Sequence, residues 1–194
     1  MRRYFLYIIS AVSCVLLIDD SYGQANSLVE KKAKELIPKL KSSGEYPWTG
    51  HDTLIDLNGD HYKDILIEYY GLAGTGLKNR ITVYLYDNRV GKFKRCNQLC
   101  DLANPTFYFD KKIVAGYYVA LGGGFAAKLK WKGLHLDSLE KIEVEVLNKG
   151  KEIHFKMTSF DFITKKTTSK ILEQMALPVE YKYWDYTPLI KRGL

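Results

Sequence analysis

The sequence lacks the short motifs that mark several common enzyme classes. It contains no His-Glu-x-x-His zinc motif, no Gly-x-Ser-x-Gly nucleophile turn and no Gly-x-x-x-x-Gly-Lys-Ser/Thr phosphate loop. Its four histidines are scattered, and each is more typical of a polar surface or packed position than of a general base: His51, His61, His135 and His154. We therefore expect a binding protein and not an enzyme.

Cysteine is also scarce, with three residues in the whole chain. Cys14 lies in the N-terminal apolar segment, which leaves Cys96 and Cys100 as a pair. In an oxidising compartment we expect these two to form a disulfide across a small loop, and two separate thiols are the alternative. No second Cys or His pair has the spacing of zinc ligands, so a zinc site is not expected.

The N-terminal apolar run is too short to span a bilayer comfortably. Met1-Arg2-Arg3 is followed by the apolar residues 4–18 and by the small-residue pattern Ser21-Tyr22-Gly23. This order predicts a signal peptide that is removed after Gly23, and hence export to the periplasm or cell surface. A lipoprotein signal at Cys14 and a retained membrane anchor remain as alternatives.

No repeat or linker divides residues 24–194, which we expect to form a single domain. Residues 1–23 carry equal numbers of positive and negative charges, so the net charge of +7 is unchanged by their removal. Such a charge favours anionic surfaces, but the lysines alternate with glutamates along much of the chain. A solvated basic surface is the preferred interpretation, and nucleic acid is not an expected partner.

The hydrophobic pattern predicts one helix followed by a β-rich region. Ser27-Leu28-Val29-Glu30 has the form of a capping box, and apolar residues recur at helical spacing over about 27–41. Pro38 is expected to kink or shorten this helix, and Gly44 to end it. From Asp52 onward, short alternating runs separated by turn residues predict a mainly β fold, either an antiparallel β-sandwich or a propeller-like domain.

The stretch from Asp56 to Asp64 is a candidate calcium loop. Oxygen-bearing side chains stand at its positions 1, 3, 5 and 9, and the residue at position 7 offers a backbone carbonyl: Asp56, Asn58, Asp60, Asp64 and Tyr62. Hard cations such as Ca²⁺ take six to eight oxygen ligands, so this pattern predicts a structural calcium completed by further oxygens. His61 replaces the glycine of an EF-hand loop and Ile67 replaces its final glutamate, which excludes an EF-hand. The alternative is a polar turn that caps its own backbone.

Two segments are candidates for recognition. Residues 71–80 contain three glycines and are expected to form a long loop, in which the candidate partner-binding residues are Gly74, Thr75, Lys78 and Arg80. The tail from Tyr181 to Tyr186 is aromatic on both faces and includes Trp184. Its rings are expected to cover the core, with stacking on sugars as the alternative.

The order of these motifs resembles the periplasmic immunity proteins that accompany lysozyme-like effectors of bacteria-killing type IV secretion systems, a family related to inhibitors of invertebrate-type lysozyme. The matching segments lie between residues 52 and 132: Asp56 to Ile67, Tyr84-Leu85-Tyr86-Asp87 with Gly91-Lys92-Phe93, Leu99 to Pro105, and Gly122 to Trp131. The resemblance implies an exported β-rich domain, calcium at Asp56, Asn58, Asp60 and Asp64, and inhibition through a loop inserted into a muramidase cleft.

Two functions therefore stay open at this point. The first is an exported calcium-binding protein that binds a protein partner, with a lysozyme-like peptidoglycan hydrolase as the candidate partner. The second is a cell-surface glycan-binding module that uses its tyrosines and Trp184.

Overall fold

A computed structural model of the chain describes residues 2–73, 76–120, 123–149 and 152–172. In these residues a long N-terminal helix, α1 (Arg2–Ser43), is followed by two antiparallel sheets. The first sheet has four strands in chain order: β1 (His51–Ile55), β2 (Asp64–Ala73), β3 (Gly76–Asp87) and β4 (Lys92–Arg95). The one-turn helix α2 (Asn97–Cys100) then leads into the second sheet.

The second sheet has six strands, again in chain order: β5 (Thr106–Tyr108), β6 (Ile113–Ala120), β7 (Gly123–Lys132), β8 (His135–Lys149), β9 (Glu152–Asp161) and β10 (Lys166–Leu172). A 3-10 turn, Phe109–Lys111, separates β5 from β6. Sequential strands are neighbours throughout both sheets, and every strand pair is antiparallel. The predicted mainly β fold with one N-terminal helix is confirmed.

The main core lies between the two sheets. Alternate residues of each strand point inward, as the period of two dictates. The buried side chains come from both sheets and from α2, and they include Leu66, Ile81, Val83, Leu85, Leu99, Val114, Leu129 and Trp131. The C-terminal half of β7 shows this alternation, since Leu129 and Trp131 are buried whereas Lys130 and Lys132 are exposed.

Helix α1 covers the opposite face of the four-stranded sheet. Ala33 and Leu40 pack against Ile65, Ile67 and Tyr84, which alternate with the residues of the main core. The helix is longer than the predicted 27–41 and continues through Pro38, which lies on its exposed side. A proline there removes one intrahelical hydrogen bond, and water can solvate the carbonyl group that loses its partner.

The end of α1 agrees with the sequence. The helix stops at Ser43, and Gly44 adopts φ 77°, the left-handed conformation that glycine accepts without a Cβ clash. Within the described residues, no helix combines the length and apolar character needed to cross a bilayer.

Lysines and glutamates form cross-strand pairs in the six-stranded sheet. Lys128 on β7 lies 3.5 Å from Glu140 on β8, and Lys156 on β9 lies 3.6 Å from Glu145. Such pairs near the surface contribute little individually to stability, because solvent screens both charges.

The predicted disulfide is wrong in this structure, where Cys96 and Cys100 are both free thiols. The residues between them form the helical turn α2, which places Cys96 in the buried core and the Cys100 Sγ 3.6 Å from the Cys96 carbonyl oxygen. Burial raises the pKa of the Cys96 thiol to about 11, so this thiol stays protonated at neutral pH. Cys96 therefore acts as a small apolar core residue.

We expect Ile67→Ala to lower the free energy of unfolding by about 2–5 kcal/mol, because Ile67 is fully buried between α1 and the four-stranded sheet. Urea denaturation measures this change. The matched control is Ile163→Ala, at a side chain that is 73% exposed, and it should shift stability by no more than about 0.5 kcal/mol. Equal effects of the two substitutions would contradict the packing of α1 on this sheet.

Candidate functional site

The Asp56–Asp64 segment connects β1 to β2 as a compact turn held by its own side chains. The Asp56 carboxylate accepts hydrogen bonds from the backbone N–H of Gly59 at 2.7 Å, Asp60 at 3.2 Å and His61 at 2.8 Å. Further along, the Asp60 Oδ1 accepts from the Tyr62 N–H at 3.0 Å. These bonds satisfy backbone donors that have no strand partner within the turn.

Two residues of this turn adopt left-handed backbone conformations, Gly59 with φ 74° and His61 with φ 72°. His61 stands at position 6, where an EF-hand loop has glycine for its sharp turn. The histidine therefore departs from that pattern in residue type, yet it adopts a conformation that favours glycine. Histidine is among the residues that tolerate this conformation best, although at some energetic cost.

Asp64, at the end of the turn, is completely buried. Its Oδ2 accepts from the Leu57 N–H at 3.0 Å and its Oδ1 from the Tyr86 N–H on β3 at 2.9 Å. Burial raises the pKa of the Asp64 carboxyl to about 8; the two backbone N–H groups oppose this shift, and the charges of Asp60 and Asp56 add to it. The side chain thus joins the turn to the centre of the four-stranded sheet.

The turn is also tied to α1 and to the six-stranded sheet. The side chain of Asn26 donates to the His61 carbonyl at 3.1 Å and accepts from the Lys63 N–H at 3.2 Å. The Asn58 amide donates to the Gly133 carbonyl, between β7 and β8, at 3.3 Å. All three layers of the fold therefore meet at this turn, and none of these contacts requires a metal ion.

The side chains do not form a ready calcium shell. Asp56 and Asp64 direct both of their oxygens to backbone N–H groups, and Asp60 accepts from Tyr62 and from the Asn58 amide at 3.1 Å. Among the described residues, no three His, Cys, Asp or Glu side chains group in a way that would hold a metal ion. Calcium at this turn stays a prediction, and a self-capped polar turn accounts for the hydrogen bonds present.

The expected long loop over residues 71–80 is wrong. Strands β2 and β3 continue and pair as far as Ala73 and Gly76, so most of this segment is a hairpin arm. The sequence suggested a loop because it has glycine at positions 71, 74 and 76. Glycine weakens a strand but does not prevent it from pairing. Gly71 faces Lys78, and a Cβ there would lie 2.8 Å from the Tyr69 ring, so a larger residue would displace that ring.

The four predicted partner-binding residues of this arm differ in their surroundings. Gly74 and Thr75 lie outside the described residues, and Lys78 is half-buried on β3. The Arg80 guanidinium donates to the Leu72 carbonyl at 3.0 Å and to the Cys100 carbonyl, so it fastens the arm to α2. Their contact with a partner stays a prediction, as does the role of residues 181–186 and Trp184, which also lie outside the described part.

Sequence reasoning did not identify three large apolar side chains that the structure leaves exposed. Trp48 is fully exposed on the turn between α1 and β1, and Tyr70 and Leu72 are exposed on β2. The residues Pro47-Trp48-Thr49-Gly50 predict a turn, and a turn pattern does not indicate whether the tryptophan within it is buried or exposed.

We predict that His61→Gly raises the free energy of unfolding by up to about 1 kcal/mol, because glycine adopts a φ of 72° without a Cβ penalty. The greater entropy of glycine in the unfolded chain limits the gain. The reciprocal control is Gly59→Ala, which should destabilise the protein by about 1 kcal/mol at φ 74°. Destabilisation by His61→Gly in urea denaturation would mean that the histidine side chain outweighs its backbone strain.

We predict that calcium binds the turn with a dissociation constant of about 10⁻⁴ to 10⁻³ M, the range of extracellular modules, and that Asp60→Asn weakens it at least tenfold. Asparagine keeps an oxygen for the Tyr62 N–H but removes the charge that a cation requires. Isothermal titration calorimetry and calcium-dependent melting measure the effect, with Asp137→Asn on β8 as the charge-matched control. Equal calcium binding by the wild type and Asp60→Asn would remove the turn as the metal site.

Comparison with known proteins gives little beyond this geometry. No protein-family model matches the chain, and no curated protein matches it. Among solved structures, the chain is similar to one described as "Structure of a Xanthomonas Type IV Secretion System related protein", with 13% sequence identity and a TM-score of 0.42. The match covers 60% of this chain and 56% of that chain, so it spans less than two thirds of either protein.

Proposed function

We propose that this protein is exported and binds a protein partner, and that the partner is a lysozyme-like peptidoglycan hydrolase which it inhibits. In this proposal the chain is a binding protein without catalytic residues of its own. The turn over residues 56–64 is part of its scaffold, with calcium as a structural ion, and recognition takes place elsewhere on the molecule.

One observation carries the proposal. The sequence segments that resemble the immunity proteins are separated along the chain, but each contributes side chains to the same core between the sheets. These residues are Leu57 and Leu66 from the first segment, Leu85 from the second, Leu99 and Leu102 from the third, and Ala127, Leu129 and Trp131 from the fourth. If the resemblance were confined to unrelated surface motifs, the residues of the matching segments would not be expected to meet in one buried cluster.

The charge of the protein limits which hydrolases are suitable partners. The net charge of +7 repels a strongly basic enzyme over long distances and slows encounter, particularly at low salt. An inhibited hydrolase should therefore be acidic or should present an acidic surface around its cleft. Acidic catalytic residues would provide part of that surface.

We expect the purified protein to inhibit an invertebrate-type lysozyme in a cell-wall lysis assay, removing most of the lytic activity at a small molar excess. Calorimetry with the same enzyme should give a stoichiometry of about one to one, as expected of a specific inhibitor. A peptidoglycan amidase is the control, since it cleaves the same wall with an unrelated active site. Binding to glycans on an array without any inhibition would instead support the glycan-binding function.

A further inference from the structure

The hairpin formed by β3 and β4 concentrates positive charge. Residues 88–100 contain no Asp or Glu and four basic side chains: Arg89, Lys92, Lys94 and Arg95. Several lysines of the six-stranded sheet, by contrast, lie within 4 Å of a glutamate carboxylate. The net charge of +7 is therefore unevenly distributed, and this hairpin holds an uncompensated part of it.

Three of these side chains form one cluster around Asp87, which is buried at the end of β3. The Asp87 carboxylate accepts from the Lys94 ammonium at 2.7 Å, from the Arg89 Nε at 3.2 Å and from the Arg89 Nη2 at 3.4 Å. Lys92 lies directly opposite Asp87 in the pairing of β3 with β4, and it shares a face of β4 with Lys94. We call Arg89, Lys92 and Lys94 the basic hairpin cluster.

One carboxylate does not neutralise this cluster. The hydrogen bonds from Lys94 and Arg89 lower the pKa of the Asp87 carboxyl to about 2, so at neutral pH Asp87 supplies one negative charge against three positive ones. The side chains of Arg89 and Lys94 are 75% and 59% exposed, so they present further N–H donors to solvent. Lys92 is exposed as well. The cluster can therefore bind a second anion while it keeps its contacts to Asp87.

The turn that carries the cluster is held by hydrogen bonds from two sides. The backbone N–H groups of Val90 and Gly91 donate to the Asp87 carbonyl at 3.3 Å and 2.8 Å. From α1, the Lys32 ammonium donates to the Gly91 carbonyl at 2.5 Å and brings a fourth positive charge to the turn. Side chains that are already ordered lose less conformational entropy on binding than mobile ones, so this arrangement favours specific recognition.

The chemistry of the cluster specifies an anionic partner. Ammonium and guanidinium groups at fixed positions bind carboxylates through charge-assisted hydrogen bonds. A membrane fits less well, because attraction to anionic headgroups gives reversible binding and stable attachment takes a second, apolar signal. The apolar side chain exposed on the turn is Val90, whereas tryptophan and tyrosine are the residues enriched at membrane interfaces. Carboxylates on the surface of a folded protein are the better occupant.

We propose that the basic hairpin cluster is where the protein partner docks, through carboxylates on the surface of that partner. The inference rests on the proposed function, which requires a partner that is acidic or presents an acidic surface. It places this contact on the β3–β4 hairpin, outside the residues 71–80 for which the sequence predicts recognition.

The test uses the full chain and an invertebrate-type lysozyme of acidic isoelectric point, with association rates measured by surface plasmon resonance. The double variant Arg89→Gln/Lys92→Gln removes two positive charges and leaves Lys94 to pair with Asp87. We expect it to slow association about tenfold at low ionic strength. At about 0.5 M salt its rate should approach that of the wild type, because salt then screens the charges over a few ångströms.

The matched control is Lys165→Gln/Lys170→Gln, which lowers the net charge by the same amount at exposed side chains of the β9–β10 hairpin. It should associate within about twofold of the wild type, because the charges it removes lie outside the docking surface. Lys92→Gln alone guards against misfolding, since its side chain is exposed and the contacts to Asp87 remain. This variant should keep the wild-type melting temperature and slow association about twofold to threefold.

Each outcome has a separate meaning. If the wild type binds the lysozyme and the two double variants associate at equal rates, only the net charge matters; the docking surface is then wrong and the proposed function stands. If the wild type does not bind, the proposed function fails and the docking proposal fails with it. Binding of phosphatidylglycerol vesicles that is lost in Arg89→Gln/Lys92→Gln, without an effect on lysozyme binding, would overturn the docking proposal in favour of a lipid surface.

Discussion

The buried carboxyl group of Asp64 is the constraint on which the rest of the architecture depends. It lies at the start of β2 and accepts one backbone N–H from the preceding turn and one from β3. A buried polar group of this kind is costly unless its hydrogen bonds are made, so the turn has little freedom to move away from the sheet. The position of β1, the path of the turn and the register of β2 with β3 are linked through one side chain.

The turn then connects layers that would otherwise be held mainly by apolar packing. Asn26 binds it to the helix, and Asn58 binds it to the six-stranded sheet. Apolar burial is non-directional and sets no unique orientation, whereas these bonds fix how the helix and sheets sit on one another. The oxygen-rich composition that predicts calcium is also the composition that such a junction requires.

Helix α1 links the turn over residues 56–64 to the segment that precedes β1. It contacts the turn through Asn26, and near its C-terminal end the Leu40 carbonyl accepts from the Tyr46 N–H. The helix rises about 1.5 Å per residue, so these two contacts lie roughly 20 Å apart along it.

The sequence by itself determined the secondary structure class and the helix end at Gly44, because these follow from local periodicity and backbone preference. It also located the turn over residues 56–64. Only the tertiary structure decided that Asp64 points inward to Tyr86, 22 residues away, that Arg80 binds the backbone of α2, and that Cys96 packs in the core without a disulfide. It also decided which apolar residues stay exposed: composition cannot separate Trp48 from a core tryptophan such as Trp131, because burial depends on which elements the fold brings to cover each ring.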